Sequence, residues 1–155
     1  IDASSTTLNL KNVYFNSTQK NGFPDEGEVI IPYYNSSEGV WSAERILYGA
    51  KDANANTLTV ATNGRGHEGT TASIHTVLTG TYSSNSAGLC TVTTSGAHNL
   101  STGQRIYLDF TSGTGFDGTY TVTVTGSTGF TVQFPFPRST SGNVSLLPEV
   151  RLRSL

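Results

Sequence analysis

In the second half of this chain, apolar side chains recur at every second position. In Arg105-Ile106-Tyr107-Leu108-Asp109-Phe110 the set Ile106, Leu108 and Phe110 falls on one side, with Arg105, Tyr107 and Asp109 on the other. Residues 119–124 repeat this with Tyr120, Val122 and Val124 against a row of threonines, and Phe130, Val132 and Phe134 repeat it again. Each such strand has one apolar face, which must be covered by another sheet or by the sheet's own curling. Closure into a barrel also removes the exposed edges of short strands. The best helical candidate, residues 40–48, carries Trp41, Ile46, Leu47 and Tyr48 between Gly39 and Gly49, a composition that favours a strand. The fold class expected is all-β.

Strands are expected over residues 6–10, 28–33, 41–48, 57–62, 89–94, 105–110, 119–124 and 129–134, and a last one over 144–155, broken by Pro148. Residues 78–88 are small, polar and turn-rich and read as a linker or long loop. A boundary near residue 80 follows: an N-terminal β module over 1–80 and a C-terminal small β-barrel module over 81–155 that includes the terminal strand. The 155 residues, 35% hydrophobic and thinly spread, suit two tandem small β-barrel or barrel-like β-sandwich modules better than one large core.

Charged residues make up 13% of the chain and the formal net charge is −2. The nine basic residues are scattered, which argues against nucleic acid or an anionic membrane as partner. No apolar run approaches the roughly 20 residues that span a bilayer. Cys90 is the only cysteine, so an internal disulfide is impossible, and its alternating segment marks it as a buried small apolar residue. A neutral, hydroxyl-rich surface suits packing against identical neighbours, and it also suits a secreted soluble domain. The sequence has no methionine and begins at Ile1, as expected of a chain cut from a longer precursor or of one whose start is missing.

Several patterns tempt a functional reading. Asp52-Ala53-Asn54-Ala55-Asn56 opens like a calcium loop, but Thr57 and Asn63 stand where Gly and a bidentate carboxylate are needed, so a hairpin turn is expected. Asp25, Glu26 and Glu28 read as a solvated acidic turn. His67, His75 and His98 lack zinc-site spacing, and structural roles are expected for them. Gly64-Arg65-Gly66-His67-Glu68-Gly69 has dinucleotide-loop glycine spacing without the βαβ context. The Asn-x-Ser/Thr triplets at Asn16, Asn35, Asn99 and Asn143 are expected by chance. No catalytic residue, metal ligand or cofactor is expected, and the chain reads as a non-enzyme. Asp117-Gly118 signals a tight turn, and Gly103 a turn with positive φ. Glycines 64, 66 and 69 let the chain coil around Arg65 and Thr70, which would bring Arg65 to Glu44 as an ion pair. Tyr33, Tyr34 and Trp41 are the candidate aromatic contacts for a partner or glycan.

Two resemblances organise these elements. Thr6-Thr7-Leu8, Phe23-Pro24, Gly27, Glu44-Arg45-Ile46, Tyr48, Thr57-Leu58, Gly64-Arg65-Gly66, Gly69-Thr70-Thr71-Ala72 and His75 follow the pattern of a module repeated in bacteriophage tail and fibre proteins. The chain departs from it by extra residues between Ile31 and Trp41 and by Asn63 before Gly64. From Cys90-Thr91-Val92 through Gly96-Ala97-His98-Asn99-Leu100, Asp117-Gly118-Thr119-Tyr120 and Gly129-Phe130-Thr131-Val132 to Asn143-Val144, the second half resembles a small β-barrel inserted in ubiquitin-activating enzymes and recurring in phage structural proteins. Asp109-Phe110-Thr111-Ser112-Gly113-Thr114 is similar to a turn in a marine-phage version of it.

These resemblances imply a scaffold without chemistry: a bacteriophage virion structural protein, as a tail, fibre, adaptor or capsid-decoration subunit, located in the extracellular particle. Its partners would be copies of itself and other virion proteins, with a host surface glycan as a further possibility. The alternative function is a glycan-binding module or surface adhesin. Val150, Leu152 and Leu155, alternating with Arg151 and Arg153, mark an assembly strand expected to pair with a neighbour's sheet edge. Removal of residues 147–155 would then abolish oligomers and leave a folded monomer.

Overall fold

The structure, a computed structural model, describes residues 3–9, 26–52, 57–73, 77–147 and 151–153. It is all-β, in two compact units. Unit 1 comprises residues 1–76 and 150–155, and unit 2 comprises residues 77–149. The expected boundary near residue 80 therefore moves to Val77, and the terminal strand leaves the second module for the first. Unit 2 is an insertion in the chain of unit 1.

Unit 1 is an antiparallel sheet in the order β1 (Thr7–Asn9), β4 (Thr57–Val60), β3 (Val40–Asp52), β2 (Gly27–Asn35), β12 (Arg151–Arg153). Val29 and Ile31 on β2 and Ile46 and Tyr48 on β3 share one face and pack with Leu8 and Leu58 into its core. β2 and β3 form a long hairpin, paired from Gly27↔Tyr48 to Asn35↔Val40. Its turn is closed by Gly39 N donating to Asn35 O at 2.8 Å, with Gly39 at φ +68. The extra residues noted between Ile31 and Trp41 are thus an extension of this hairpin.

β12 pairs with β2 of its own chain through Leu152↔Val29. One edge of the strand expected to seek a neighbour's sheet is thus taken by the chain's own β2; β12 is the last strand of the order, with no further strand beside it among the described residues. Val150 and Leu155 lie outside the described residues.

Unit 2 is a sheet in the order β8 (Gly118–Thr121), β7 (Arg105–Phe110), β11 (Thr140–Leu147), β5 (Leu78–Ser84), β6 (Leu89–Thr94), β10 (Gly129–Gln133), β9 (Thr123–Val124). The two ends of this order, β8 and β9, are one run of chain interrupted only at Val122, so the sheet curls round on itself as a barrel. Inward residues of every second position fill it: Cys90, Val92, Ile106, Leu108, Tyr120, Val122, Phe130, Val132, Phe134, Val144 and Leu146. Tyr82, Phe110 and Phe134 meet edge-on, with ring centroids 4.6 and 5.3 Å apart.

Two expectations fail in this unit. Residues 78–84, read as linker, are a central strand bonded to β6 and β11. Small hydroxyl residues hid its alternation: Thr79, Thr81 and Ser83 point out while Tyr82 and Ser84 point in. Gly80 lets β5 lie close to β6, since a Cβ there would sit 2.3 Å from Thr93 O. Asp117-Gly118 is not a tight turn. The β7–β8 connection runs over residues 111–117, and Asp117 Oδ1 closes it by accepting from Phe110 N at 2.8 Å.

Candidate functional site

The densest polar arrangement among the described residues lies in unit 1, where residues 61–73 follow β4 as a strap along β3. β4 covers β3 only from Tyr48 onward, which leaves the main-chain groups of Arg45 and Leu47 open on that side. The strap covers them: Leu47 N donates to Gly64 O at 2.8 Å, and Arg45 N to Thr70 Oγ1 at 2.9 Å. Gly64 permits the approach, since a Cβ there would stand 2.2 Å from Leu47 O. The strap coils tightly through left-handed residues, Asn63 at φ +56 and Glu68 at φ +51 among them.

Two fully buried carboxylates hold it, one from each face of the sheet. Glu44, on the core face opposite Ile31, accepts a bidentate pair from Arg65: Nε to Oε1 at 2.6 Å and Nη2 to Oε2 at 2.9 Å. Gly66 N and Ser73 N add bonds of 3.1 and 3.0 Å. Arg65 also donates to Ser73 O at 2.8 Å, so the pair ties both ends of the strap to β3.

Glu28, on the opposite face, accepts from Arg45 Nη2 at 3.1 Å and contacts His67 Nδ1 at 3.0 Å. Arg45 Nε lies 3.0 Å from Glu28 Oε1 without aiming its hydrogen at it. Arg45 Nη1 also contacts Glu68 of the strap. Glu28 is thus no part of a solvated acidic turn: β2 carries it into a buried ionic cluster. Glu26 is exposed, and Asp25 lies outside the described residues.

The aromatic candidates sit on the β2–β3 hairpin. Tyr34 pairs with Trp41 across the strands, with ring centroids 5.9 Å apart and edge-to-face; Tyr33 is the next residue on β2, opposite Ser42. Trp41 is 37% exposed and Val40 beside it 48%. This site and the strap are separate features of unit 1. Sequence reasoning missed Glu28, Arg45 and Glu68 as members of a cluster. For Arg45 the signal available was its charge inside a strand segment that otherwise reads as apolar; Glu28, at a strand start, and Glu68, in the strap, gave no local signal.

Elsewhere, His98 is buried against Phe130. Its Nδ1 accepts from Leu100 N at 3.0 Å and its Nε2 reaches Gly129 O at 3.2 Å, contacts that an Nε2-protonated ring satisfies. His75 and residues 53–56 lie outside the described residues. Cys90 is buried in the barrel core, and burial pushes its thiol up to about 12. Burial, with smaller repulsion from Cys90, Asp117 and Tyr107, likewise pushes Tyr120 up to about 12, while its hydroxyl donates to Phe116 O. Among the described residues no group of three or more His, Cys, Asp or Glu side chains is arranged to hold a metal, and no helix is long and apolar enough to cross a membrane.

No family model, curated protein or solved structure matches the chain.

Proposed function

We propose that this chain is a structural subunit of a bacteriophage particle, in a tail, fibre, adaptor or decoration layer, and that it acts by assembly. One observation carries the reading. Glu44 and, some twenty residues on, Gly64, Arg65, Gly66 and Thr70, all elements of the pattern that resembles phage tail and fibre modules, meet in one structural device, the strap on β3. The pattern thus reads as the specification of a small, rigid β module. The charged side chains at the strap are engaged with one another and with the backbone, a scaffold's use of charge. The second unit adds a barrel whose outward strand positions are dominated by Thr, Ser and Asn, a surface on which copies can pack without like-charge repulsion.

Sedimentation velocity with negative-stain imaging of the purified chain tests this. Rings, fibres or discrete oligomers are expected. A monomer at every concentration, together with absence of the chain from purified particles, would overturn it.

The second reading is glycan binding at the hairpin, favoured by the exposure of Trp41 beside Tyr34. Aromatic faces of this kind stack on sugar rings. Glycan-array binding that disappears in Trp41→Ala would select this reading, and identical array profiles for both proteins would remove it.

A further inference from the structure

The barrel of unit 2 closes imperfectly, and the imperfection has a definite chemistry. The run from β8 to β9 pairs first with β7 and then, beyond Val122, with β10. The β9–β10 ladder stops at Thr123↔Thr131. Continued, that register would set Thr121 opposite Gln133 and Thr119 opposite Pro135, but neither pair forms.

Main-chain groups of an antiparallel strand point alternately to its two neighbours. Val122 faces the β7 side, donating to Gln104 O at 3.0 Å and accepting from Gly103 N at 2.9 Å. Thr119 and Thr121, odd neighbours of Val122, therefore turn their N–H and C=O toward the end of β10. Pro135 has no N–H to offer there. The walls part into an open groove of about 450 Å3 with Phe116, Thr119, Thr121, Gln133 and Pro135 in its lining. Phe136, 66% exposed, rests edge-on against Phe116 at 5.9 Å.

We propose that this seam is a docking groove for an extended, uncharged peptide strand of another protein, which adds to the open edge of β8. The main-chain groups of Thr119 and Thr121 recur at the strand repeat of about 6.6 Å, the period at which an extended partner presents its own. A sugar ring has no such repeat. Phe116 and Phe136 supply an apolar surface for an alternate side chain of the incoming strand. Asp117 in the lining disfavours an acidic partner, and the Arg138 guanidinium over the Phe116 ring disfavours a basic one. This inference goes beyond the assembly reading and stands without it, since it needs only the open edge of β8 and no association between copies of this chain.

The test uses amide hydrogen exchange of the full isotope-labelled chain. The probe is a capped peptide of alternating serine and valine, about eight residues long to match a typical strand. A second peptide carries N-methyl groups on alternate residues, in the register that faces β8. In the free chain the Thr119 amide is expected to exchange much faster than that of Tyr120, which is bonded to β7. The parent peptide should slow Thr119 exchange by on the order of tenfold or more. The N-methylated peptide should not, and Thr119→Pro, which deletes a donor that β7 does not use, should abolish binding while Tyr120 stays protected. Thr119 as protected as Tyr120 in the free chain would overturn the inference. So would equal binding of the two peptides, or a parent peptide that leaves Thr119 and Gln133 unaltered. None of these results depends on the oligomeric state of the chain, so failure here is distinct from failure of the assembly reading.

Discussion

The two units solve the same problem with opposite chemistry. Unit 2 wraps a sheet round until its ends meet, and alternation of apolar residues is nearly sufficient for that. Its core is a set of aromatic and aliphatic side chains in edge-to-face contact, with charge kept to the periphery. Unit 1 leaves part of β3 uncovered by β4, and irregular chain must cover what a strand does not. Irregular backbone docks only where its polar groups find partners. Buried Glu44 supplies them for Gly66 and Ser73, and buried Glu28 holds the strap's His67 side chain, both at the cost of taking charge out of water. A closed sheet needs pattern, whereas an open one needs anchors.

Two residues report on the units separately. Trp41, the single tryptophan, lies in unit 1, and Cys90, the single cysteine, lies in the core of unit 2. The largest effect expected is that of Glu44→Ala, which leaves Arg65 and the amides of Gly66 and Ser73 without their acceptor. Removing one member of such a buried pair costs about 3–5 kcal/mol. Urea unfolding followed by Trp41 fluorescence should shift accordingly, while the urea dependence of Cys90 thiol labelling stays in place. A Glu44→Leu/Arg65→Met double variant should recover much of the loss. If it instead falls below the single variant, the anchor is stronger than an apolar contact of the same size.

Leu108→Ala is the converse experiment. Leu108 is completely buried in the barrel, and a truncation of this kind costs about 3 kcal/mol through lost transfer energy and a residual cavity. Cys90 labelling should occur at lower urea with the Trp41 transition unmoved. A coupled shift of both probes would show that the units share one cooperative transition and would break the comparison.

The unequal legibility of the units follows from the same contrast. Period-two alternation placed β6, β7 and β10 within a residue and read β8 and β9 as the single strand 119–124, because most inward positions of a barrel are apolar and most outward ones polar. β5 escaped detection because Thr, Ser and Gly carry little contrast between faces, although Tyr82 points inward like its neighbours. In unit 1 the Arg65–Glu44 contact could be read from one charge in an apolar strand and a glycine-rich coil around an arginine. Glu28 could not, since nothing local distinguishes a carboxylate at a strand start from one in solvent. What buries it is His67 and Arg45, the first 39 residues away in sequence. The path of β12 was equally hidden, because a short alternating strand states that it pairs but not with whom.

Alkaline pH should separate the units next. Cys90 and Tyr120 both hold their protons in the folded barrel up to about 12, against ordinary values of 9.0 and 10.0. Well below pH 9 both residues are protonated in folded and unfolded chains alike, and the barrel keeps its full stability. As pH rises from 9 toward 12 the unfolded chain releases protons that the folded one retains, so stability falls across that window. The urea midpoint of the barrel, followed by circular dichroism, should decline over this range, and Cys90→Val should flatten the first part of the decline. A slope identical in the variant would mean that the thiol ionises as easily inside the barrel as outside it.

The smallest effect concerns an arginine, and it isolates what burial does to the same side chain. Arg138 of unit 2 lies over the Phe116 ring, 4.7 Å from its centroid, and Nη1 donates to Thr114 O at 2.9 Å. Its position is exposed, so water competes for every contact it makes, and a cation–π contact there is worth about 0.5–1 kcal/mol. Arg138→Ala should therefore move the Cys90 labelling midpoint only slightly, far less than Glu44→Ala moves the Trp41 transition. Arg65 instead pairs with a carboxylate that is fully buried and has no alternative in water. An Arg138 loss as large as the Glu44 loss would mean that unit 2 also depends on a charged clamp. The distinction between pattern and anchor would then fail where it should be cleanest.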